Sequence, residues 1–143
     1  MNEPTDRRVV MTEAELLAAT DDEYMSRAQL DFFRNLLLQH RRQLMQGAEA
    51  TLHDLREPAT FADEADRASA EEEYTLQLRI RDRERKLLRK VDQALARIDQ
   101  GTYGWCEETS EPIGLRRLLA RPTATLSVDG QERKEARARH YQD

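Results

Sequence analysis

Two groups of side chains in this 143-residue sequence are placed where they could do chemistry: a cluster of carboxylates and a line of cations. From Glu57 to Glu73, acids at 57, 63, 64, 66, 71, 72 and 73 face one base, Arg67. Within that cluster, Asp63-Glu64-Ala65-Asp66-Arg67-Ala68 falls where two long, charged segments of nearly equal length must reverse direction, so its oxygens are held at the end of an arm. One or two of these acids have an ordinary use. Thr60-Phe61-Ala62-Asp63 has the spacing of a capping box, and Asp63 could itself cap the second helix with Asp66 in its first turn, where the helix dipole favours anions. A cap does not account for Phe61 on an exposed hairpin end, and a contact site for a partner is the other reading. The cations follow directly. Arg79 to Lys90 holds seven bases against Asp82 and Glu84, and Arg79, Arg83, Lys86 and Lys90, spaced four, three and four apart, share one helix face. Such a stripe is either a solvated face partly neutralised by acids on the other arm, or a surface that meets a phosphate or an acidic partner.

Other chemistries are excluded. A single cysteine, Cys106, allows no internal disulfide and no cysteine-rich metal site, and it agrees with a reducing compartment. His40, His53 and His140 are isolated. No nucleophile, base and orienting group fall together, and no glycine-rich phosphate loop occurs, so an enzyme is not expected. A net charge of -5 gives no basic footprint for nucleic acid, and sequence-specific DNA binding is not expected. No apolar run approaches the ~20 residues that cross a bilayer, and Met1 to Val10 lacks the apolar core of a secretory signal, so a cytoplasmic protein without membrane contact is expected.

The elements that must position these groups are helical. With 36% charged residues, five glycines and four prolines, the composition favours a mainly α chain built on narrow apolar seams. Residues 1–21 read as an N-terminal tail, partly ordered, with a short turn at Glu13 to Ala19. From Asp22, apolar residues including Phe33, Leu37, Leu44 and Leu52 recur at helical spacing until Pro58. A second stripe opens near Asp63 and carries Tyr74, Leu78, Leu88, Val91, Leu95 and Ile98, with Ile80 and Leu87 filling it, until Gly101. About 35 residues per helix give arms about 50 Å long. The short connector from Pro58 to Ala62 forces antiparallel packing, so residues 22–101 form a coiled-coil hairpin with its tip near 58–68. Residues 102–130 form a small turn-rich knob whose expected core is Tyr103, Trp105, Ile113, Leu115, Leu118, Leu119, Leu126 and Val128, docked through Tyr24, Phe32 and Phe33. A C-terminal helix occupies 131–143. The hairpin satisfies its own seams, so a monomer is expected.

These residues carry a family resemblance. Asp63-Glu64-Ala65-Asp66-Arg67-Ala68 resembles the DxxDxA tip of the DksA branch of the DksA/TraR family, and Arg79 to Leu87 is similar to that family's second coiled-coil helix. Gly104-Trp105-Cys106-Glu107 and Ile113 to Ala124 resemble its zinc-finger region. The resemblance implies a transcription factor that binds RNA polymerase through its secondary channel. It implies that Asp63 and Asp66 act near the active centre, through magnesium or through mobile polymerase elements, with Ala68 keeping the tip compact. It places Arg83 at the polymerase rim and makes Leu87, Lys90 and Arg121 the contacts to guanosine tetraphosphate. Gln131 stands where familiar members carry a base, a lost charge that bears on the strength of any alarmone response.

The departure from the family concerns metal. Two CxxC pairs are replaced by Cys106-Glu107-Glu108-Thr109 and Ser127-Val128-Asp129-Gly130, so Cys106, Thr109, Ser127 and Gly130 are degenerate zinc positions. Thr, Ser and Gly do not replace soft thiolates, and a zinc-independent variant is expected, held instead by Trp105, Leu118 and Leu119. Two other functions remain open at this level: a Gre-like transcript-cleavage stimulator, and a plain coiled-coil scaffold.

Overall fold

The computed structural model describes residues 10–54 and 63–142. Within them lie five α-helices and no strand: α1 (Glu13–Ala18), α2 (Arg27–Asp54), α3 (Glu64–Gln100), α4 (Leu115–Ala120) and α5 (Val128–Gln142). They fall into two compact units, one of Leu38–Asp92 and one made of the segments up to Leu37 and from Gln93 onward. The chain is mainly helical, as its periodicity requires. The expected connector, with Pro58, Thr60 and Phe61, lies outside the described residues, as does the first part of the N-terminal segment.

Each long helix begins for a local reason, and α3 also ends for one. The apolar periodicity from Asp22 onward suggests an earlier start for α2, but helix begins at Arg27, after a single 3-10 turn at Asp21–Glu23. Met25 takes a positive φ of 57°, which breaks the helix before Ser26, whose Oγ then accepts from the Gln29 amide at 3.3 Å. At the start of α3, Asp63 Oδ1 accepts from the Ala65 amide at 3.0 Å. Its end is closed by Gly101 at φ 81°, with Thr102 N and Tyr103 N both donating to Arg97 O. The two helices run antiparallel within each unit: Arg41 Nε bonds Asp92 at 2.8 Å in one, and Arg34 pairs with Asp99 in the other.

The unit holding both chain ends is built around Phe33, Leu37, Ala94, Ile98, Tyr103 and Leu118. Phe33 and Tyr103 are in ring contact at 5.5 Å, and the Tyr103 hydroxyl donates to Pro122 O at 2.8 Å, so one side chain satisfies both packing and polarity. Tyr24 does the same at the other side, donating to Gly104 O at 2.6 Å and accepting from Gly114 N at 3.0 Å. Docking of the knob through Tyr24 and Phe33 is therefore observed, while Phe32 is only half-buried against Phe33.

Several expected core positions are corrected. Trp105 is 40% exposed and Val128 59% exposed. Trp105 meets Tyr24 edge-on at 5.3 Å and pairs its backbone with Pro112, which leaves one ring face open; Val128 is the first residue of α5 and points outward. Leu115 and Leu119 are half-buried, Ile113 is buried as expected, and Cys106 and Ala124 take further core places. The helix α5 starts three residues before the expected 131, because Ser127 Oγ accepts from the Gly130 amide at 3.0 Å and caps it. The turn expected at Glu13 to Ala19 is a packed element rather than a loose tail: Thr12 and Glu15 close a capping box, α1 lies against α4, and Leu16 is fully buried.

Candidate functional site

In the unit Leu38–Asp92, α3 presents two charged surfaces in succession. Its first three turns expose Glu64, Asp66, Glu71, Glu72 and Glu73. Asp63 spends one carboxylate oxygen on the Ala65 amide and its carbonyl on the Arg67 amide, so it is a helix cap whatever else it does. Asp66 has no hydrogen bond or ion pair among the described residues and is exposed in the first turn, where the dipole supports its charge. Ala68 is exposed one turn from Asp63 and offers no bulk beside the carboxylates.

The cationic stripe follows along the same helix. Arg79, Arg83, Lys86 and Lys90 are all exposed. Among the described residues no ion pair joins these four cations to an acid of α2. Asp82 of the same helix accepts from Arg85 at 2.8 Å and lies 3.2 Å from Lys86 Nζ. Those two partners, Arg85 first, hold the Asp82 carboxyl below the usual range. The pairs that do cross between helices put the cation on α2, as in Arg41 to Asp92. Arg79, Arg83 and Lys90 are left without an ion pair among the described residues, and Leu87, 41% exposed, lies between the last two on the helix surface. Like charges stacked this way favour a negative partner.

The other unit contains Arg121 and the four degenerate metal positions. Arg121 is exposed at the C-cap of α4. Gln131 is engaged with its own helix, Nε2 donating to Glu135 at 2.8 Å. Cys106, Thr109, Ser127 and Gly130 do come together. Ser127 Oγ donates to Cys106 Sγ at 3.4 Å, and a Cβ added to Gly130 would stand 2.4 Å from that sulfur. Burial pushes the Cys106 thiol up, but hydrogen bonds from Ser127 and Thr109, from side chains and then backbone, outweigh it and bring the thiol down to about 6. The cluster offers one sulfur, two hydroxyls and no fourth side chain, and the thiol itself fills the space beside Gly130. The residues do not fit a zinc ion, which takes four thiolate or imidazole ligands at such sites. No group of three His, Cys, Asp or Glu side chains suited to a metal occurs among the described residues.

One contact gave no signal in the sequence. Arg137 of α5 grips Glu108 with both guanidinium nitrogens, one at 2.7 Å, a pairing 29 residues apart that no spacing rule reaches. Tyr24 was expected to dock the knob, but its hydrogen-bond partners, Gly104 O and Gly114 N, were not; both glycines have φ values, 89° and 104°, that call for glycine. Among the described residues no helix is long and apolar enough to cross a membrane.

Comparison with known proteins places the chain among named relatives. Two family descriptions match it: "DnaK suppressor protein DksA, N-terminal domain" over residues 29–98, and "Prokaryotic dksA/traR C4-type zinc finger" over residues 101–136. The RNA polymerase-binding transcription factor DksA of Caulobacter vibrioides (strain NA1000 / CB15N) is 46% identical over 136 residues, 94% of this chain and 96% of that protein. The factor of the same name from Escherichia coli (strain K12) is 45% identical over 117 residues, 81% of this chain and 78% of its own length. Among solved structures, transcription factor DksA2 from Pseudomonas aeruginosa is similar with a TM-score of 0.81 and 55% identity, covering 90% of this chain and 100% of that one.

Proposed function

Because the chain belongs to the DksA family, we propose that it is a transcription regulator that binds RNA polymerase directly and acts on initiation. One observation carries the reading. A single helix, α3, exposes in its first turn the carboxylate of Asp66 and, seventeen residues later and about 25 Å along the axis, the guanidinium of Arg83, neither of them paired among the described residues. That separates an acting group from an anchoring group. In the proposed mechanism Arg83 and its cationic neighbours meet acidic groups on the polymerase rim, and the hairpin carries Asp63 and Asp66 through the secondary channel toward the active centre. There the charge of Asp66 acts on magnesium or on mobile catalytic elements, since oxygen ligands suit a hard cation. Asp63 contributes chiefly by fixing the helix start that aims Asp66.

The same reading extends to the alarmone and to metal. Guanosine tetraphosphate is taken up at the polymerase interface, with Lys90 and Arg121 directed at phosphate and Leu87 supplying an apolar contact. Gln131, bonded to Glu135, adds no charge there, so the response is weaker than in a relative with a base at that position. The protein works without zinc, because its donor set cannot close a tetrahedral site. It is cytoplasmic, where its polymerase partner is.

Equilibrium binding to core RNA polymerase and transcription from a ribosomal-RNA-type promoter, with and without the alarmone, test this. Arg83→Ala is expected to lower affinity roughly tenfold, the worth of one charge-assisted contact of 1–2 kcal/mol, and to flatten the salt dependence. Asp66→Asn is expected to bind like the parent while losing the effect on the promoter. If both variants bind and act like the parent, the assignment of α3 is wrong.

A further inference from the structure

The seam that α3 turns toward α2 changes character inside the unit Leu38–Asp92. Side chains of α3 withdrawn from solvent recur at Ala70, Tyr74, Gln77, Arg81, Glu84, Leu88 and Val91, alternating spacings of four and three, which is the heptad pattern of a two-helix seam. Leu88 and Val91 are apolar, as such a seam requires. The next three positions toward the helix start, Glu84, Arg81 and Gln77, are polar. In the same stretch the apolar side chains point away: Leu76, Leu78, Ile80 and Leu87 are between 37% and 53% exposed.

Glu84 marks the sharpest conflict. Its Oε1 is buried with no hydrogen-bond partner among the described residues. Its Oε2 lies so near Gly47 of α2 that a Cβ there would stand 3.1 Å from it. A buried carboxyl group with an unsatisfied oxygen destabilises a seam relative to an apolar side chain of its size. A mid-helix glycine opposite removes a packing group and lowers helix propensity. Either residue alone weakens a layer; here they face each other.

We propose that the Gly47–Glu84 layer, continued by Arg81 and Gln77, is a joint built into the hairpin. At this layer α2 and α3 separate and the turns of α3 open locally while Leu88 and Val91 stay packed, so the acidic start of α3 changes direction. The low-stability end of the range of local openings is where moving elements are drawn from, and few apolar contacts put this layer there. The proposal concerns the mechanics of the hairpin and stands apart from what it binds.

Amide hydrogen exchange on the full chain tests it, comparing the parent with Glu84→Leu and Glu84→Gln. In the parent, amides of residues 77–87 should exchange at least tenfold faster than those of residues 88–92. Glu84→Leu should slow exchange at 77–87 tenfold or more. Glu84→Gln keeps the layer polar and should leave the pattern in place. Uniform protection from 77 to 92 in the parent would overturn the joint. So would equal behaviour of the leucine and glutamine variants, which is what fraying from the helix end would give.

Discussion

Asp63 and Asp66 stand three residues apart in one acidic run, yet only the first is bound into the fold. The amide of Ala65 claims Asp63 Oδ1, and nothing described claims Asp66. That division was half visible in the sequence, because cap spacing is a local rule; which acid stays free is a matter of geometry. Both Tyr103 and Trp105 were expected in the core, and that only Tyr103 is buried there was not visible. Gly104 at φ 89° separates them and turns the chain between the two rings, and the Met25 side chain lies where a Cβ of residue 104 would be. The sharpest single-residue consequence belongs to Cys106. Ser127 and Thr109 hold its thiol at about 6 against the pull of burial, below the ~8.5 of an unfolded cysteine. A depressed folded value favours the thiolate in the folded state. The resulting stabilisation is complete above about pH 8.5, shrinks as the pH falls, and is gone below about pH 6. Urea unfolding from pH 5.5 to 9 should therefore show the parent gaining stability over Cys106→Ala as the pH rises. Parallel curves would mean that the hydroxyls do not stabilise a thiolate.

At the scale of elements, the two long helices were the easiest part to read, because a seam of thirty or so residues repeats its period many times while a cap or turn signals once. The bounds of α3 were expected within a residue of where they lie, and the error at the start of α2 comes from Met25, whose positive φ no propensity rule foresees. The cationic stripe was legible as a face, but the partner of Lys86 was not: Asp82 is four residues away on the same helix rather than across the hairpin. The short α1 was underestimated. Six residues are marginal as an isolated helix, and this one holds because Thr12 and Glu15 cap it and Leu16 is driven to full burial beside α4. Leu16→Ala should thus destabilise the protein by about 2–5 kcal/mol, the range for truncating a buried leucine, seen as a lower urea midpoint. A change within about 0.5 kcal/mol, typical of an exposed site, would show α1 to be peripheral after all.

For the whole molecule, the sequence disclosed the missing ligands but not what closes the gap they leave. Three of the four thiolate positions are Thr109, Ser127 and Gly130, which any reader of the chain can see. Only coordinates show that Cys106 Sγ moves into contact range of Gly130, that Gly130 N bonds Ser127 Oγ, and that Ser127 in turn donates to the sulfur. The knob is closed by a chain of hydrogen bonds and by side-chain packing at Tyr103, Leu118 and Leu126. In small zinc-finger peptides the metal supplies roughly 10–16 kcal/mol of apparent binding energy, and folding is lost on chelation. This chain should behave otherwise: a strong chelator should leave its melting temperature unchanged, and elemental analysis should find zinc well below one per chain. Stoichiometric zinc, or unfolding by the chelator, would overturn the reading. The reverse experiment sharpens it. In the triple variant Thr109→Cys, Ser127→Cys and Gly130→Cys, the new Cβ at 130 must crowd Cys106 unless an ion draws the four sulfurs apart around itself. Without zinc that variant should be less stable than the parent, by the 1–3 kcal/mol typical of overpacking; with zinc it should recover and become sensitive to chelation. A triple variant that is as stable as the parent without metal would show that the close approach of Gly130 to the thiol is not what replaces the ion.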